Sequence, residues 1–145
     1  FFFAGLFVLV GALVETGVIK VLAAEAIKLT NGSVNATAML ILWMSAFASA
    51  FIDNIPFVAT LIPLIQDMGQ MGLSNLDSMW WSLALGACLG GNGTLIGASA
   101  NVVVASMAAQ RGKQISFLGF MKIAFPIMIM TIAISSVYVW IRYLL

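Results

Sequence analysis

The sequence predicts an all-α integral membrane protein, and three observations carry the prediction. Of 145 residues, 63% are hydrophobic and only 8% charged, with a mean hydropathy of +1.13; a soluble chain of this size has no core large enough to hide so much apolar surface. The apolar residues gather in runs of about the length that crosses roughly 30 Å of hydrocarbon. Two of these runs are interrupted by polar stretches, Phe51-Ile52-Asp53-Asn54-Ile55-Pro56-Phe57 and Gly90-Gly91-Asn92-Gly93-Thr94 leading on to Ser99-Ala100-Asn101.

Composition also excludes several functions. A net charge of +1, with the six Lys and Arg scattered along the chain, gives no basic stripe for nucleic acid. The chain holds no His and one Cys, Cys88. It therefore cannot build His-based acid–base chemistry, a Cys/His zinc site, a Ser-His-Asp triad or an internal disulfide by itself. An aspartyl protease would need its second carboxylate from another chain. No leader-like pattern is present, and the chain opens inside an apolar run, so it reads as a piece of a longer protein.

Phe1 to Ile19 is the first predicted span, with Glu15 near its end and Lys20 close by as an interfacial cation. Lys20 to Thr30 is too short and too charged to span; Val21, Leu22, Ile27 and Leu29 alternate with Lys20, Glu25 and Lys28, which suits a helix lying in the membrane interface. Asn31-Gly32-Ser33 ends it. Residues 36–67 are apolar on both sides of the Asp-Asn-Ile-Pro break. As one helix this stretch is too long for a straight span and as two it is too short, so a kinked span and a re-entrant hairpin both remain open; Pro56, lacking an N–H, marks the break in either case. The distribution of Lys and Arg favours the span by a little. Residues 79–109 repeat the pattern: Trp80 and Trp81 as interfacial aromatics, an apolar half to Leu89, four glycines between Gly90 and Gly97, then helix from Val102 to Ala109. A final helix over 117–145 carries Lys122 near one end, Pro126 as a kink, and Trp140, Arg142 and Tyr143 as anchors.

Non-helical backbone at membrane depth survives only where it is buried in protein or lines a wet cavity. Paired Gly- or Pro-broken segments are the sequence mark of a transporter's midplane site. Unwound carbonyls attract a cation there, and half-helix N-termini an anion. A carboxylate at such depth costs roughly 2.5–3.5 kcal/mol, and Asp53 has no basic partner at its own depth, since every Lys and Arg lies near an end of its segment, so a transported ion or proton is expected to relieve it. The candidate site is thus Asp53, Asn54, Asn92, Gly93, Thr94, Ser99 and Asn101, with Asp53 and Asn54 as ligands of a bound Na⁺ and Asp53 as carrier of the coupling ion or proton. Two plainer roles compete: Asp53 and Asn54 as helix caps, and the glycines as points of close helix packing.

The strings SAFASAFIDNIPFVATLIPLI and GACLGGNGTLIGASANVVVASMA resemble the C-terminal half of the ion transporter superfamily. The likeness is strongest to the group holding the pink-eyed-dilution (P) protein and the arsenical-pump and NhaD-type permeases, and weaker to the divalent anion/sodium symporters. The resemblance implies one of two inverted repeats, with residues 1–19 as a scaffold transmembrane helix and 20–30 as an interfacial arm helix. Residues 36–67 would be a re-entrant helical hairpin, 79–109 a broken transmembrane helix and 117–145 the final span. It outweighs the charge distribution on the hairpin question. Where the symporters carry Ser-Asn-Thr at the hairpin tip, Asp53-Asn54-Ile55 stands here, and Gly97-Ala98-Ser99-Ala100-Asn101 lacks the symporters' prolines. These departures suit H⁺ or Na⁺ coupling at least as well as a dicarboxylate substrate.

The expected function is secondary active, elevator-like transport of a small anion or ion. The alternative is a non-transporting membrane subunit or assembly module. No resident cofactor is expected beyond Na⁺. The expected partners are the lipid bilayer, the anionic or ionic substrate, a missing N-terminal half or second copy, and a second protomer in a homodimer. A bacterial inner membrane is preferred over an organellar one.

Overall fold

A computed structural model describes the backbone of residues 2–145; the side chains at positions 2–4, 6, 7 and 10, and all of Phe1, lie outside the described residues. The described residues form helices and no strand: α1 (Phe2–Glu15), α2 (Val18–Leu29), α3 (Val34–Ser49), α4 (Asn54–Gln70), α5 (Leu76–Gly90), α6 (Ser99–Gln110) and α7 (Phe117–Val139), the last continuing into a π turn over Trp140–Leu144.

Local chemistry sets the boundaries. The first apolar run does not stay helical to Ile19: Gly17 takes a left-handed conformation (φ 75°) and α2 starts at Val18. The arm segment turns into α3 through left-handed Asn31 and Gly32, and the Ser33 hydroxyl caps α3 by accepting from Ala36 N. This elbow bends by 119° and is pinned by a buried 2.8 Å hydrogen bond between the Thr30 and Thr37 hydroxyls. The next break falls at residues 50–53, one turn before Pro56. Asp53 caps α4, its carboxylate accepting from Ile55 N at 3.2 Å, so Pro56 sits in the first helical turn, where its missing N–H costs nothing. Proline starts this helix instead of breaking it. Helix α7 likewise runs on through Pro126.

Helix α3 packs along its length on α5, the two running parallel. Gly86 lies against the Leu42 carbonyl and Gly90 against the Ala46 backbone so closely that a Cβ at either would collide with main chain. This small-residue spacing is the one that lets membrane helices touch backbone to backbone. Helix α4 returns antiparallel to α3, since Ile41 and Met44 of α3 and Leu61, Leu64 and Met68 of α4 line one apolar cavity of about 270 Å³ closed off by α2. Ile19, Ala23, Ile41, Leu61, Ile65, Met68, Met79 and Leu83 form the larger core, and Leu42, Ala46, Ala50, Met128 and Ile132 the smaller one, where α7 covers the α3–α5 seam.

One end of the molecule is tied together by Asn75, left-handed before α5, whose amide donates to the Tyr143 carbonyl at 2.9 Å. Trp81 stacks on Tyr143 there. The base of the hairpin therefore sits beside the C-terminal end of α7. Only α7 with its π turn, Phe117–Leu144, is long and apolar enough among the described residues to cross a membrane as a single helix; α2 and α3 reach that length only as a bent pair.

Candidate functional site

The two interruptions meet. The hairpin tip (50–53) and the unwound stretch 91–98 touch each other near the middle of α7, where a Cβ on Gly93 would come within 2.6 Å of the Met128 sulfur. Their contact is polar and buried. Ser49, fully buried at the end of α3, donates its hydroxyl hydrogen to the Ala87 carbonyl at 2.6 Å. A serine hydroxyl has one hydrogen, so its close contact with the Asn54 amide must be an acceptance from nitrogen. With Nδ2 so placed, the carbonyls of Ala87 (3.2 Å) and Gly97 (3.3 Å) also lie within its reach, and its two hydrogens are shared among the three oxygens. One amide end is thus ringed by oxygens from α3, α5 and the unwound stretch.

The stretch 91–98 holds its own shape through two side chains. Thr94, fully buried, donates to the Ala50 carbonyl and accepts from Gly97 N at 3.2 Å, joining the tip to the break. The Asn101 amide reaches back from the first turn of α6 to the carbonyls of Gly91 and Thr94, both at 3.1 Å. Gly97 is indispensable to this geometry. A Cβ there would lie 2.8–2.9 Å from the carbonyl oxygens of Gly91, Ala50 and Ser49, and the hairpin could not close onto the break.

Of the residues singled out from sequence, Asn54, Gly93, Thr94 and Asn101 come together here. Asp53 adjoins the cluster but turns its carboxylate to the α4 N-terminus. Asn92 and Ser99 are exposed. Sequence reasoning missed Ser49 and the carbonyls of Ala50, Ala87, Gly91 and Gly97. Ser49 had a signal, since it sits four residues after Ser45 on the face of α3 that also buries Ala38, Leu42 and Ala46; a backbone carbonyl has none. The oxygens around the amide nitrogen, from Ser49, Ala87 and Gly97, are all neutral. Neutral oxygens are ligands that a hard cation takes, and among the described residues no three His, Cys, Asp or Glu gather to hold a metal.

Residues 1–86 match the CitMHS citrate transporter family. The chain belongs to that family. It is 50% identical over 144 residues to an uncharacterized transporter of Mycobacterium tuberculosis, covering 98% of this chain and 34% of that protein. It is 45% identical to a 46 kDa membrane protein of Mycobacterium leprae, covering 99% of this chain and 34% of that protein. To the mouse P protein it is 43% identical over 150 residues, 99% of this chain and 18% of that protein. This citrate transporter family chain thus spans about a third of the mycobacterial relatives it matches, and it is an integral membrane protein. No solved structure matches it. The family match ends at Gly86, short of the second interruption, but the three relatives extend across both.

Proposed function

We propose that the complete protein is a secondary active permease, not an enzyme, that moves a small anion or ion coupled to Na⁺ or H⁺, and that the paired interruptions are its ion site. The observation that carries this reading is the ring of Ser49, Ala87 and Gly97 oxygens around one end of the Asn54 amide. Half a turn about the side-chain torsion exchanges Nδ2 for Oδ1. The N–H end satisfies the ring when no cation is present, and the oxygen joins the ring when one enters. Asp53, one residue away, supplies the negative charge that a monovalent cation or a proton would balance, and it carries the coupling.

The packing supports the depth this requires. Helices α3 and α4 have 16 and 17 residues, about 25 Å each at 1.5 Å per residue, short of a full span. Their base lies beside Tyr143 and their break beside Met128, near the middle of the 28-residue span. On this reading α3–α4 is a re-entrant hairpin and α5–α6 a broken transmembrane helix. Together they form the moving part of an elevator whose scaffold includes α1, with α2 as the interfacial arm. The N-termini of α4 and α6 open at the same breaks and favour an anion beside the cation. The missing remainder of the protein, by the family pattern an N-terminal repeat, completes the site, and the assembly is a homodimer in a bacterial inner membrane.

The test is uptake by the complete protein in proteoliposomes, with citrate as first probe and Na⁺ and pH gradients imposed separately. Uptake driven by one gradient and abolished by its collapse supports the reading. Failure of either gradient to drive any of a panel of anions would favour a non-transporting subunit. A cysteine at exposed Asn92 separates the two readings further, reacting with a membrane-impermeant thiol reagent only where the break faces water.

A further inference from the structure

The first half of α7 carries a single charge, Lys122, among Phe117, Leu118, Phe120, Met121, Ile123 and Phe125. In the fold this lysine faces the hairpin tip. Lys122, Met121, Phe125 and Pro126 line a hollow of about 410 Å³ with Phe51, which stands two residues ahead of Asp53. The other cations lie elsewhere: Lys20 and Lys28 belong to α2, Arg111 and Lys113 line a separate hollow with Val104 and Met107, and Arg142 covers Tyr143. Among the described residues the one ion pair is Lys28 with Glu25 at 2.6 Å. Among the described residues neither Lys122 nor Asp53 takes part in an ion pair.

A charge in hydrocarbon is costly unless it is paired, hydrated or used. Unpaired, Lys122 and Asp53 each remain available to a ligand of opposite sign. The ammonium offers three donors to carboxylate or other oxyanion oxygens, and Phe51 and Phe125 give the hollow apolar walls. We propose that Lys122 and Phe51 form a vestibule that admits the anionic group of the transported solute on its way to the ion site, with the coupling cation at Asp53 and Asn54 as its neighbour. Solute and coupling ion then neutralise Lys122 and Asp53 respectively, so the loaded tip carries no net charge. This rests on the transporter reading for its purpose; the electrostatics of the hollow do not depend on it.

The experiment uses the complete protein with Cys88→Ala and Phe51→Cys, in vesicles of phosphatidylcholine alone. Anionic and cationic methanethiosulfonates are compared, each normalised to its rate with a free thiol. The proposal expects the anionic reagent to be favoured, with Lys122→Gln lowering the ratio about fivefold or more, the effect of one unit charge a few ångströms away in a partly wet site. Lys122→Arg should retain it. An unchanged ratio in Lys122→Gln overturns the proposal. Adding phosphatidylglycerol separates the sources of the anion: if it blocks the reaction in the parent but not in Lys122→Gln, the hollow holds a lipid headgroup and the proposal fails. In parallel, citrate uptake by Lys122→Gln should show a raised KM with little change in maximal rate. If citrate is not carried, only that choice of solute fails, and the thiol ratio still decides the role of Lys122.

Discussion

The two interruptions solve the same problem by opposite means. At the hairpin tip the chain turns within residues 50–53, restarts at once under an Asp53 cap, and presents side chains, the Ser49 hydroxyl and the Asn54 amide. At the second interruption eight residues, 91–98, stay unwound; Gly91 makes room for the Asn54 side chain, Gly93 for the Met128 sulfur, and Gly97 for the carbonyls of Ser49 and Ala50. One region supplies adjustable groups and the other fixed dipoles. An ion site needs both, because fixed oxygens set its size and an adjustable donor or acceptor keeps it satisfied when empty.

The largest effects are expected at the backbone contacts. Gly90→Ala places a Cβ into the Ala46 main chain, which no rotamer change can relieve. Forced separation of α3 and α5 should cost about 3 kcal/mol or more, seen as a melting temperature several degrees lower in detergent and a loss of folded yield. Gly97→Ala should behave alike for transport even if the fold survives, since it holds the tip off the break.

Next comes the adjustable side. Asn54→Ala leaves the Gly97 carbonyl without its side-chain donor and deprives Ser49 of one partner, a penalty of about 1–3 kcal/mol. The half-saturating coupling-cation concentration for uptake should rise at least tenfold. Thr94→Val keeps the shape but removes the hydroxyl joining Ala50 to Gly97. It should lower thermal stability by a similar amount, and Thr94→Ser should restore it.

Asp53 separates capping from coupling. Asn caps a helix about as well as Asp, so Asp53→Asn should leave the melting temperature within about a degree while removing the gradient dependence of uptake. Asp53→Ala should lose both, at about 1 kcal/mol for the cap. If Asp53→Asn keeps ion-coupled uptake across a wide pH range, Asp53 is a cap and nothing more. The smallest effect is expected at Ser45, whose buried hydroxyl has no partner among the described residues. Ser45→Ala should be neutral or slightly stabilising by the same thermal measurement.

The helical, membrane-bound character and the two breaks were legible in the sequence because hydropathy and Gly/Pro punctuation report on them directly. Helix ends were less so: α1 stops at Glu15 because Gly17 turns left-handed, and nothing in the hydropathy of Val18 and Ile19 signals it. Asn54, Thr94 and Asn101 were readable as polar residues where hydrocarbon was expected. Asn92 and Ser99 carry the same signal yet face outward, because an unwound stretch has no period from which to infer direction. The carbonyls of Ala87 and Gly97 could not be read at all, since every residue has one and only the tertiary approach of the tip selects them. Lys122 was visible as a charge near a helix end. Its place beside Phe51 depends on how α7 crosses the seam, which no local pattern encodes.

If the tip and the break form one cation site through Asn54, that residue sets the cation dependence of transport. The most direct test is the cation dependence of uptake by the complete protein, compared between the parent and Asn54→Ala in the same proteoliposomes. The half-saturating concentration of the coupling ion, whether Na⁺ or H⁺, should rise at least tenfold in Asn54→Ala while folded protein is still recovered. An unchanged cation dependence in a folded Asn54→Ala protein would contradict that role.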